Sequence, residues 1–300
     1  MPGERRRKRT RRSCRRSAAN RITMPDLSVE QFQSLSQLIY QKLGLHFDDK
    51  KIYFLKTRVA KRMAALGIDD PREYLFLVSY ADPQGVEMQA LANLVTTNET
   101  YMFREYDQLQ AFANHCLPEV LSAKQARGEK SLRIWSAGCS SGEEPYTLAM
   151  ILQEVFPQAQ SWDCEIVATD IDENILRKAT AARYGYRSVA DVPDEYRKKY
   201  LMADGDEYVV RRRTAALVRT VHLNLHDRMA MRAMRGFDFI FCRNVLIYFD
   251  DLSRKQVVDH FYNAMNPGGY IFLGHSESVG RVTTTFKLKR FENHLVYVKE

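Results

Sequence analysis

The sequence predicts an α/β protein in which a helical N-terminal domain precedes an open, mainly parallel sheet with helices on both faces. Three observations support this fold class. Apolar residues recur at helical spacing over residues 28–80. Short β-rich runs then alternate with helical segments over residues 132–274, and two strand-like runs at 286–290 and 295–299 resemble an antiparallel pair at the sheet edge.

The N-terminal domain is expected to span residues 24–105. Its helices are indicated by two apolar sets at spacings of three and four residues: Phe32, Leu35, Leu38 and Ile39, then Ile52, Leu55, Val59 and Met63. Gly44 and Gly67 follow these sets as helix ends, Asp70-Pro71 opens the next helix, and a further helix is expected over 86–94.

The second domain is expected to span residues 106–300. Its predicted strands cover 132–136, 165–169, 221–225, 237–242 and 270–274, and its helices 144–156, 173–181 and 253–265. An Arg-rich, strand-like piece over 208–220 is too long for a simple loop. It predicts a small β-subdomain inserted at about residues 200–220.

The charge of the chain is concentrated in one segment. The net charge is +8, but residues 1–23 contain ten Lys or Arg and one Glu, which leaves 35 basic and 36 acidic residues elsewhere. The folded part therefore lacks the basic field that nucleic-acid binding requires, and nucleic acid is not an expected partner.

The segment 1–23 is expected to be a disordered basic tail, because its like charges repel one another. Met24-Pro25-Asp26 reads like an ordinary protein start. Two interpretations stay open: residues 1–23 result from a start placed too far upstream and do not belong to the protein, or they form a genuine basic arm. The five cysteines form no C-x-x-C pair and no run approaches about 18 apolar residues, so we expect a cytoplasmic protein that does not insert into a membrane.

The loop at 137–145 follows the first predicted strand, where doubly wound sheets bind ligands. It contains Gly138, Gly142, Glu143 and Glu144. Two carboxylates at a helix N-terminus repel phosphates, which disfavours a dinucleotide or ATP. S-adenosylmethionine is compatible with this acidic loop, because it has no phosphate and carries a positive sulfonium and ammonium. The alternative is that both glutamates only favour the helix dipole, which we prefer for Glu144, whereas a ligand role is preferred for Glu143.

The second strand ends at Asp170, where ribose hydroxyls would bind. An Asp at this position is also a common helix cap. Combined with the acidic first loop, it favours the ligand role.

Six stretches together resemble the chemotaxis receptor glutamate methyltransferase family, the CheR type. They are TNETYMFR at 97–104, IWSAGCSSGEEPY at 134–146, ATDID at 168–172, Asn224-Leu225, FCRNVLIYF at 241–249 and GHSE at 274–277. They follow the family order. Met102 departs from the family pattern, where an aromatic is usual.

The resemblance implies a class I methyltransferase (Rossmann-like) domain with a small antiparallel β-subdomain behind the helical domain. It implies S-adenosylmethionine as cofactor, S-adenosylhomocysteine as product and no metal. The partner implied is the cytoplasmic domain of chemotaxis receptors, and the protein is expected to act as a monomer. The implied cofactor contacts are Asn98, Thr100, Arg104, Glu143, Asp170, Asn224, Leu225, Arg243 and Asn244.

The expected reaction places few demands on catalytic residues. A glutamate carboxylate, with a free pKa of about 4.3, is already ionised at neutral pH, so no general base is needed. Arg104 and Tyr248 are the expected catalytic residues, since an arginine holds a carboxylate through paired donors and a tyrosine adds one hydrogen bond. The alternatives are a structural ion pair for Arg104 and core packing for Tyr248.

Two groups of basic residues could contact the substrate. One predicted helix carries Lys50, Lys51, Lys56, Arg58, Lys61 and Arg62, which form either a solvated face or a contact for an acidic receptor helix. The run Arg211-Arg212-Arg213 could dock a tethering peptide, as this subdomain does in some relatives.

The sequence disfavours three other functions. A nucleic-acid methyltransferase usually carries an Asn/Asp-Pro-Pro-aromatic motif, whereas this chain has Asn244-Val245-Leu246-Ile247. A non-catalytic protein that senses the cofactor is disfavoured by Arg104 and Tyr248. A zinc site at His222-x-x-x-His226 lacks further ligands at suitable spacing.

Overall fold

The computed structural model describes residues 27–278, 280, 285–291 and 294–300. The expected basic tail at 1–23 lies outside the described residues. No helix among the described residues is both long and apolar enough to cross a membrane.

Four helices form the N-terminal part: α1 (Val29–Leu43), α2 (Ile52–Leu66), α3 (Pro71–Tyr80) and α4 (Val86–Val95), with a short 3-10 helix at Asp49–Lys51 before α2. Ser28 opens α1 with a capping box. Gly44 and Gly67 end α1 and α2 in the left-handed conformation, with φ of 73° and 69°. Asp70 caps α3. The helix ends predicted at these residues are confirmed.

Nine further helices belong to the rest of the described chain: α5 (Tyr106–Ala111), α6 (Leu117–Ala126), α7 (Glu143–Val155), α8 (Glu173–Ala181), α9 (Tyr186–Val189), α10 (Asp194–Tyr200), α11 (Arg212–Ala215), α12 (Arg228–Met231) and α13 (Asp251–Ala264). A π-helical turn at Phe112–Cys116 joins α5 to α6, and 3-10 turns lie at Pro157–Ser161 and Leu246–Tyr248.

The strands are β1 (Ser131–Ala137), β2 (Asp163–Asp170), β3 (Arg183–Gly185), β4 (Leu201–Asp204), β5 (Glu207–Val210), β6 (Val218–His222), β7 (Phe237–Cys242), β8 (Met265–Leu273), β9 (Lys287–Phe291) and β10 (His294–Val298). Seven form the main sheet in the order β6-β2-β1-β7-β8-β10-β9. The first five of these run parallel, and β10 pairs antiparallel with both β8 and β9. The expected α/β sheet with an antiparallel edge pair is confirmed.

The strand predicted at 221–225 is displaced. It is β6, which begins at Val218 and ends at His222. The reason is its register with β2, which pairs Ile166 with Val218 and Asp170 with His222, so that both strands end together. Residues 223–225 therefore leave the sheet at its carboxyl edge.

The small antiparallel sheet has the order β3-β5-β4 and spans 183–210, not the predicted region of about 200–220. The chain turns helical at α11 directly after β5, and residues 218–222 pair with the main sheet. The predicted region therefore contained strands of two different sheets, and the three-residue strand β3 was too short to recognise.

The main sheet has an apolar layer on each face. On one face Trp135, Phe237 and Phe261 belong to the same buried cluster as the N-terminal helices. On the other face Phe112 packs edge-on against Phe239, Phe241 and Phe272. The N-terminal helices are thus anchored on the sheet, and their connection between α1 and α2 reaches its carboxyl edge.

Candidate active site

A cavity of about 290 Å³ lies at the carboxyl ends of β1, β2, β6 and β7. Its walls include all the predicted site residues except Glu143: Asn98, Thr100, Arg104, Asp170, Asn224, Leu225, Arg243, Asn244 and Tyr248. These predicted residues come from four separate segments and meet in one concave site, as expected for a ligand site at this edge of the sheet.

The two glutamates of the first loop lie on different sides of α7. Glu143 is buried, and its carboxylate accepts hydrogen bonds from the hydroxyls of Ser141 at 2.6 Å and Ser188 at 2.9 Å. Glu144 lines the cavity and accepts from the Ser136 hydroxyl at 2.7 Å. Glu144 therefore lines the cavity, whereas the sequence favoured a ligand role for Glu143, whose carboxylate points to Ser141 and Ser188.

Arg243 holds the centre of a buried ionic cluster. Its guanidinium lies 3.4 Å from Glu144 and 3.3 Å from Glu105, and it also donates to the carbonyl of Arg104. The other oxygen of Glu105 lies 3.4 Å from Nδ1 of His275. Two carboxylates around one guanidinium leave the cluster acidic when both are ionised, even though burial raises the pKa of Glu144.

Asp170 shapes the loop between β1 and α7. It is 9% exposed, and its carboxylate accepts from the backbone amides of Ser140 at 2.8 Å and Asp172 at 3.0 Å. Burial raises its pKa. Asp172, not Asp170, caps α8, and its second oxygen accepts from the side-chain amide of Asn98 at 2.9 Å. The alternative interpretation of Asp170 as a helix cap is wrong.

The backbone around the cavity is strained at several positions. Phe103, Glu105, Ser140 and Asn244 have positive φ between 50° and 60°. Such conformations persist in non-glycine residues only where the surroundings hold them, and they concentrate at functional sites. All four residues border the cavity or its ionic cluster.

The N-terminal domain supplies one wall of the site. Leu43 and Leu45 line the cavity, and the side-chain amide of Asn224 donates to the carbonyl of Lys42 at 2.8 Å. The backbone amide of His46 donates to the carbonyl of Tyr248 at 3.0 Å. The connection between α1 and α2 therefore contacts two of the cavity loops.

Arg104 and Tyr248 line the same cavity from different segments. The guanidinium of Arg104 donates to the carbonyl of Glu99 at 3.0 Å and lies 5.8 Å from the centre of the Tyr101 ring. Within the described part of the chain Arg104 forms no ion pair, which disfavours the structural alternative for this residue. Tyr248 is half-buried at the end of a 3-10 turn.

The residues present fit S-adenosylmethionine. The acidic residues of the wall are Glu99, Glu144 and Asp170, and its basic residues are Arg104 and Arg243. This acidic balance suits a ligand with net positive charge. Oδ1 of Asn244 is buried and has no hydrogen-bond partner among the described residues. A buried acceptor of this kind is costly unless a ligand donor reaches it.

His222 and His226 occupy different environments. Nε2 of His222 lies 3.0 Å from the carbonyl of Ile171, whereas the ring of His226 packs beside Tyr40. The ranges that the structure describes hold no group of three His, Cys, Asp or Glu residues able to bind a metal ion.

Several functional contacts were not predicted. Glu105 carried no signal except its position beside Arg104, and Ser140 is one of several small residues in its loop. Glu277 lies in the GHSE stretch at 274–277, but its residue type and position do not by themselves indicate a role. Met102 is fully buried, so the departure from the usual aromatic is a matter of core packing.

Comparison with known proteins identifies the family of this chain. Residues 98–294 match the family model described as CheR methyltransferase, SAM binding domain, and residues 30–96 match CheR methyltransferase, all-alpha domain. Chemotaxis protein methyltransferase 2 of Vibrio cholerae is 39% identical over 282 residues, which cover 93% of this chain and 95% of that protein.

Two other relatives are also named chemotaxis protein methyltransferase. The protein from Klebsiella aerogenes is 35% identical over 88% of each chain, and the protein from Escherichia coli K12 is 34% identical over 88% of this chain and 89% of its own. The chain therefore belongs to the CheR methyltransferase family and is an S-adenosylmethionine-dependent methyltransferase.

Proposed function

We propose that the protein transfers a methyl group from S-adenosylmethionine to glutamate side chains of chemotaxis receptors, for sensory adaptation. The products are glutamate methyl esters and S-adenosylhomocysteine. The enzyme acts as a monomer in the cytoplasm on the cytoplasmic domain of the receptor. The observation that supports this most is that Arg104 and Tyr248 line one cavity together with Asp170 and Asn244.

When bound, S-adenosylmethionine supplies a methyl group that is already activated by a positively charged sulfur. The proposed contacts of this cofactor are Asn98, Thr100, Arg104, Asp170, Asn224, Leu225, Arg243 and Asn244. Glu144 joins them because it lines the cavity. Glu143 stays a weaker proposal, because its carboxylate is occupied by two serine hydroxyls.

The task left to the protein is to position the substrate. Arg104 is half-buried and carries donors beyond the one that it gives to Glu99, so it can also bind a carboxylate. Tyr248 can donate one hydrogen bond to the same group. Apolar walls at Leu43, Leu45 and Leu225 limit water in the cavity, which strengthens both interactions.

A basic surface formed by the 3-10 helix at Asp49–Lys51 and by α2 is proposed to contact an acidic receptor helix through fewer residues than the sequence suggested. Lys50 and Lys51 lie on the 3-10 helix and not on the same helix as Lys61. Arg62 is engaged with Glu87 at 2.6 Å, and Arg58 donates to the carbonyl of Leu94. Lys51 and Lys61 are exposed, as is Lys50. The contact is therefore assigned to lysines and not to the arginines.

The exposed residues Arg211, Arg212 and Arg213 lie directly after β5 of the small sheet. They offer cations to which a tethering receptor peptide could dock.

The test is to incubate the full chain with methyl-labelled S-adenosylmethionine and either receptor-containing membranes or nucleic acid. Label on the receptor supports the proposal. Label on nucleic acid, or no label on the receptor while the cofactor still binds, would contradict it.

A further inference from the structure

Glu277 lies outside the cavity and bonds to the loop after β7, which lines it. It lies in the turn after β8, and its side chain reaches under the loop that follows β7. One carboxylate oxygen accepts from the backbone amides of Gly274 and Asn244, both at 2.8 Å. The other accepts from the backbone amide of Ile247 at 3.2 Å. A single side chain thus joins two chain segments through three backbone amides.

The two segments are also too close for any residue larger than glycine at position 274. A Cβ there would lie 2.9 Å from the backbone nitrogen of Asn244 and 2.9 Å from the Glu277 carboxylate. Asn244 itself has φ of 60°. Asparagine tolerates this left-handed conformation better than most non-glycine residues, and the contacts of the turn at 274–277 with Asn244 hold the loop after β7 in it.

The same turn reaches the other side of the site. Nδ1 of His275 lies 3.4 Å from Glu105, which follows Arg104 in the chain and pairs with Arg243. The turn therefore contacts the neighbours of both proposed substrate-positioning residues, Arg104 and Tyr248.

We propose that Glu277 is a positioning residue, which holds the loop at 244–248 so that Asn244 and Tyr248 face the cavity. It does not line the cavity, and its two oxygens are occupied by backbone donors. Its role in catalysis rests on the proposed function, but its role in holding the loop does not.

Both terminal atoms of the side chain at position 277 must accept hydrogen bonds, because both face backbone amides. Glutamine would turn an amide donor toward backbone amides that are themselves donors, and it would leave at least one of them unpaired. Burial raises the pKa of the Glu277 carboxyl, while the backbone amides oppose that shift by stabilising the carboxylate. Aspartate keeps both acceptors but is one methylene shorter, so it cannot span the two segments in the same way.

The first experiment is hydrogen exchange of the full chain, followed by mass spectrometry of peptides that cover residues 243–249. Glu277→Gln should raise the exchange rate there by about tenfold or more, the loss expected for a hydrogen bond to a charged group. Glu277→Asp is the second variant, in case Glu277→Gln does not fold. The matched control is Glu165→Gln, which removes ion pairs to Arg133 and Arg219 away from the cavity.

The second experiment is a double-mutant cycle on methyl transfer to receptor membranes. Tyr248→Phe should lower kcat by about tenfold in the wild-type background and by less than about threefold beside Glu277→Gln, because the tyrosine is then already misplaced. The KM for the receptor should change less than kcat in both single variants.

The outcomes separate the two claims. Unchanged exchange in both Glu277 variants, or additive effects of Glu277→Gln and Tyr248→Phe, would overturn the positioning role. Failure of the wild-type enzyme to label the receptor would sink the proposed function, and the exchange experiment would still decide whether Glu277 holds the loop.

Discussion

Arg243 lies 3.4 Å from Glu144, so the second glutamate of the loop after β1 faces the cavity and is balanced by a buried guanidinium. This pair links the end of β7 to the first turn of α7. Because Glu105 shares the same guanidinium at 3.3 Å, the cluster keeps an acidic excess beside the cavity. A cationic cofactor is favoured there, and a phosphate is not.

Glu144→Gln should weaken binding of S-adenosylmethionine by about tenfold, since one buried charge interaction is lost. Glu143→Gln should have a smaller effect on affinity, because its carboxylate is bonded to Ser141 and Ser188. Calorimetric titration of both variants measures the difference. A larger effect at Glu143 would return the cofactor role to the first glutamate.

Gly138→Ala should abolish cofactor binding. Gly138 has φ of 79°, and a Cβ there would overlap the side chain of Val245, which lines the same cavity. Gly128→Ala is the control, since Gly128 has φ of 74° with no atom within 4 Å of an added Cβ. The control should lose only the backbone cost, about 1 kcal/mol in the free energy of unfolding, and keep its affinity.

Affinity for S-adenosylmethionine should fall as the pH is lowered from about 7 towards about 4, the usual pKa of an exposed carboxyl. Burial raises the pKa of Asp170 and of Glu144, so both carboxyls protonate at a higher pH than exposed ones and lose their attraction for a cation. Asp170→Asn should flatten the dependence measured by calorimetry. An equally steep dependence in this variant would exclude Asp170 as its source.

Protonation of Asp170 and Glu144 does not favour unfolding, so unfolding through these two carboxyls does not explain the loss of cofactor affinity at low pH. A carboxyl whose pKa is raised in the folded state binds its proton more tightly there than in the unfolded chain. Its own contribution to the free energy of unfolding therefore increases as the pH falls through that window. Thermal unfolding at both pH values checks that the protein is folded.

Arg104→Ala should abolish methyl transfer, and Arg104→Lys should retain little of it, because lysine lacks the paired planar donors. The expected loss in kcat for Arg104→Lys is about a hundredfold, the scale of one or two charged hydrogen bonds. Initial rates with receptor membranes measure it. Wild-type turnover in Arg104→Ala would refute the positioning role of this residue.

Much of the fold could be predicted because local signals and the global structure agree. Gly44, Gly67 and Asp70 mark helix ends through their own backbone preferences, and the apolar runs at 132–136 and 237–242 are buried strands. The displaced strand β6 shows the limit of such signals. Its ends are fixed by pairing with β2, a contact between residues about 50 positions apart, and not by its own composition.

In the site, too, some features could be predicted from local signals and others depend on long-range contacts. Asp170 and the glycine loop could be placed from the rule that ligands bind at the carboxyl ends of strands. Which of Glu143 and Glu144 faces the cavity depends on the rotation of α7, which the sequence does not reveal. The role of Glu277 depends on a meeting of two loops 30 residues apart, from Ile247 to Glu277, and only the folded chain shows it.

The most direct test of the central claim is the chemistry of the transferred label. Receptor-containing membranes are incubated with the full chain and methyl-labelled S-adenosylmethionine, then exposed to alkali, and the released volatile label is counted. Alkali-labile methyl esters are expected on the receptor with the wild-type enzyme, and none with Arg104→Ala. Label that resists alkali, or equal release with Arg104→Ala, would contradict the claim.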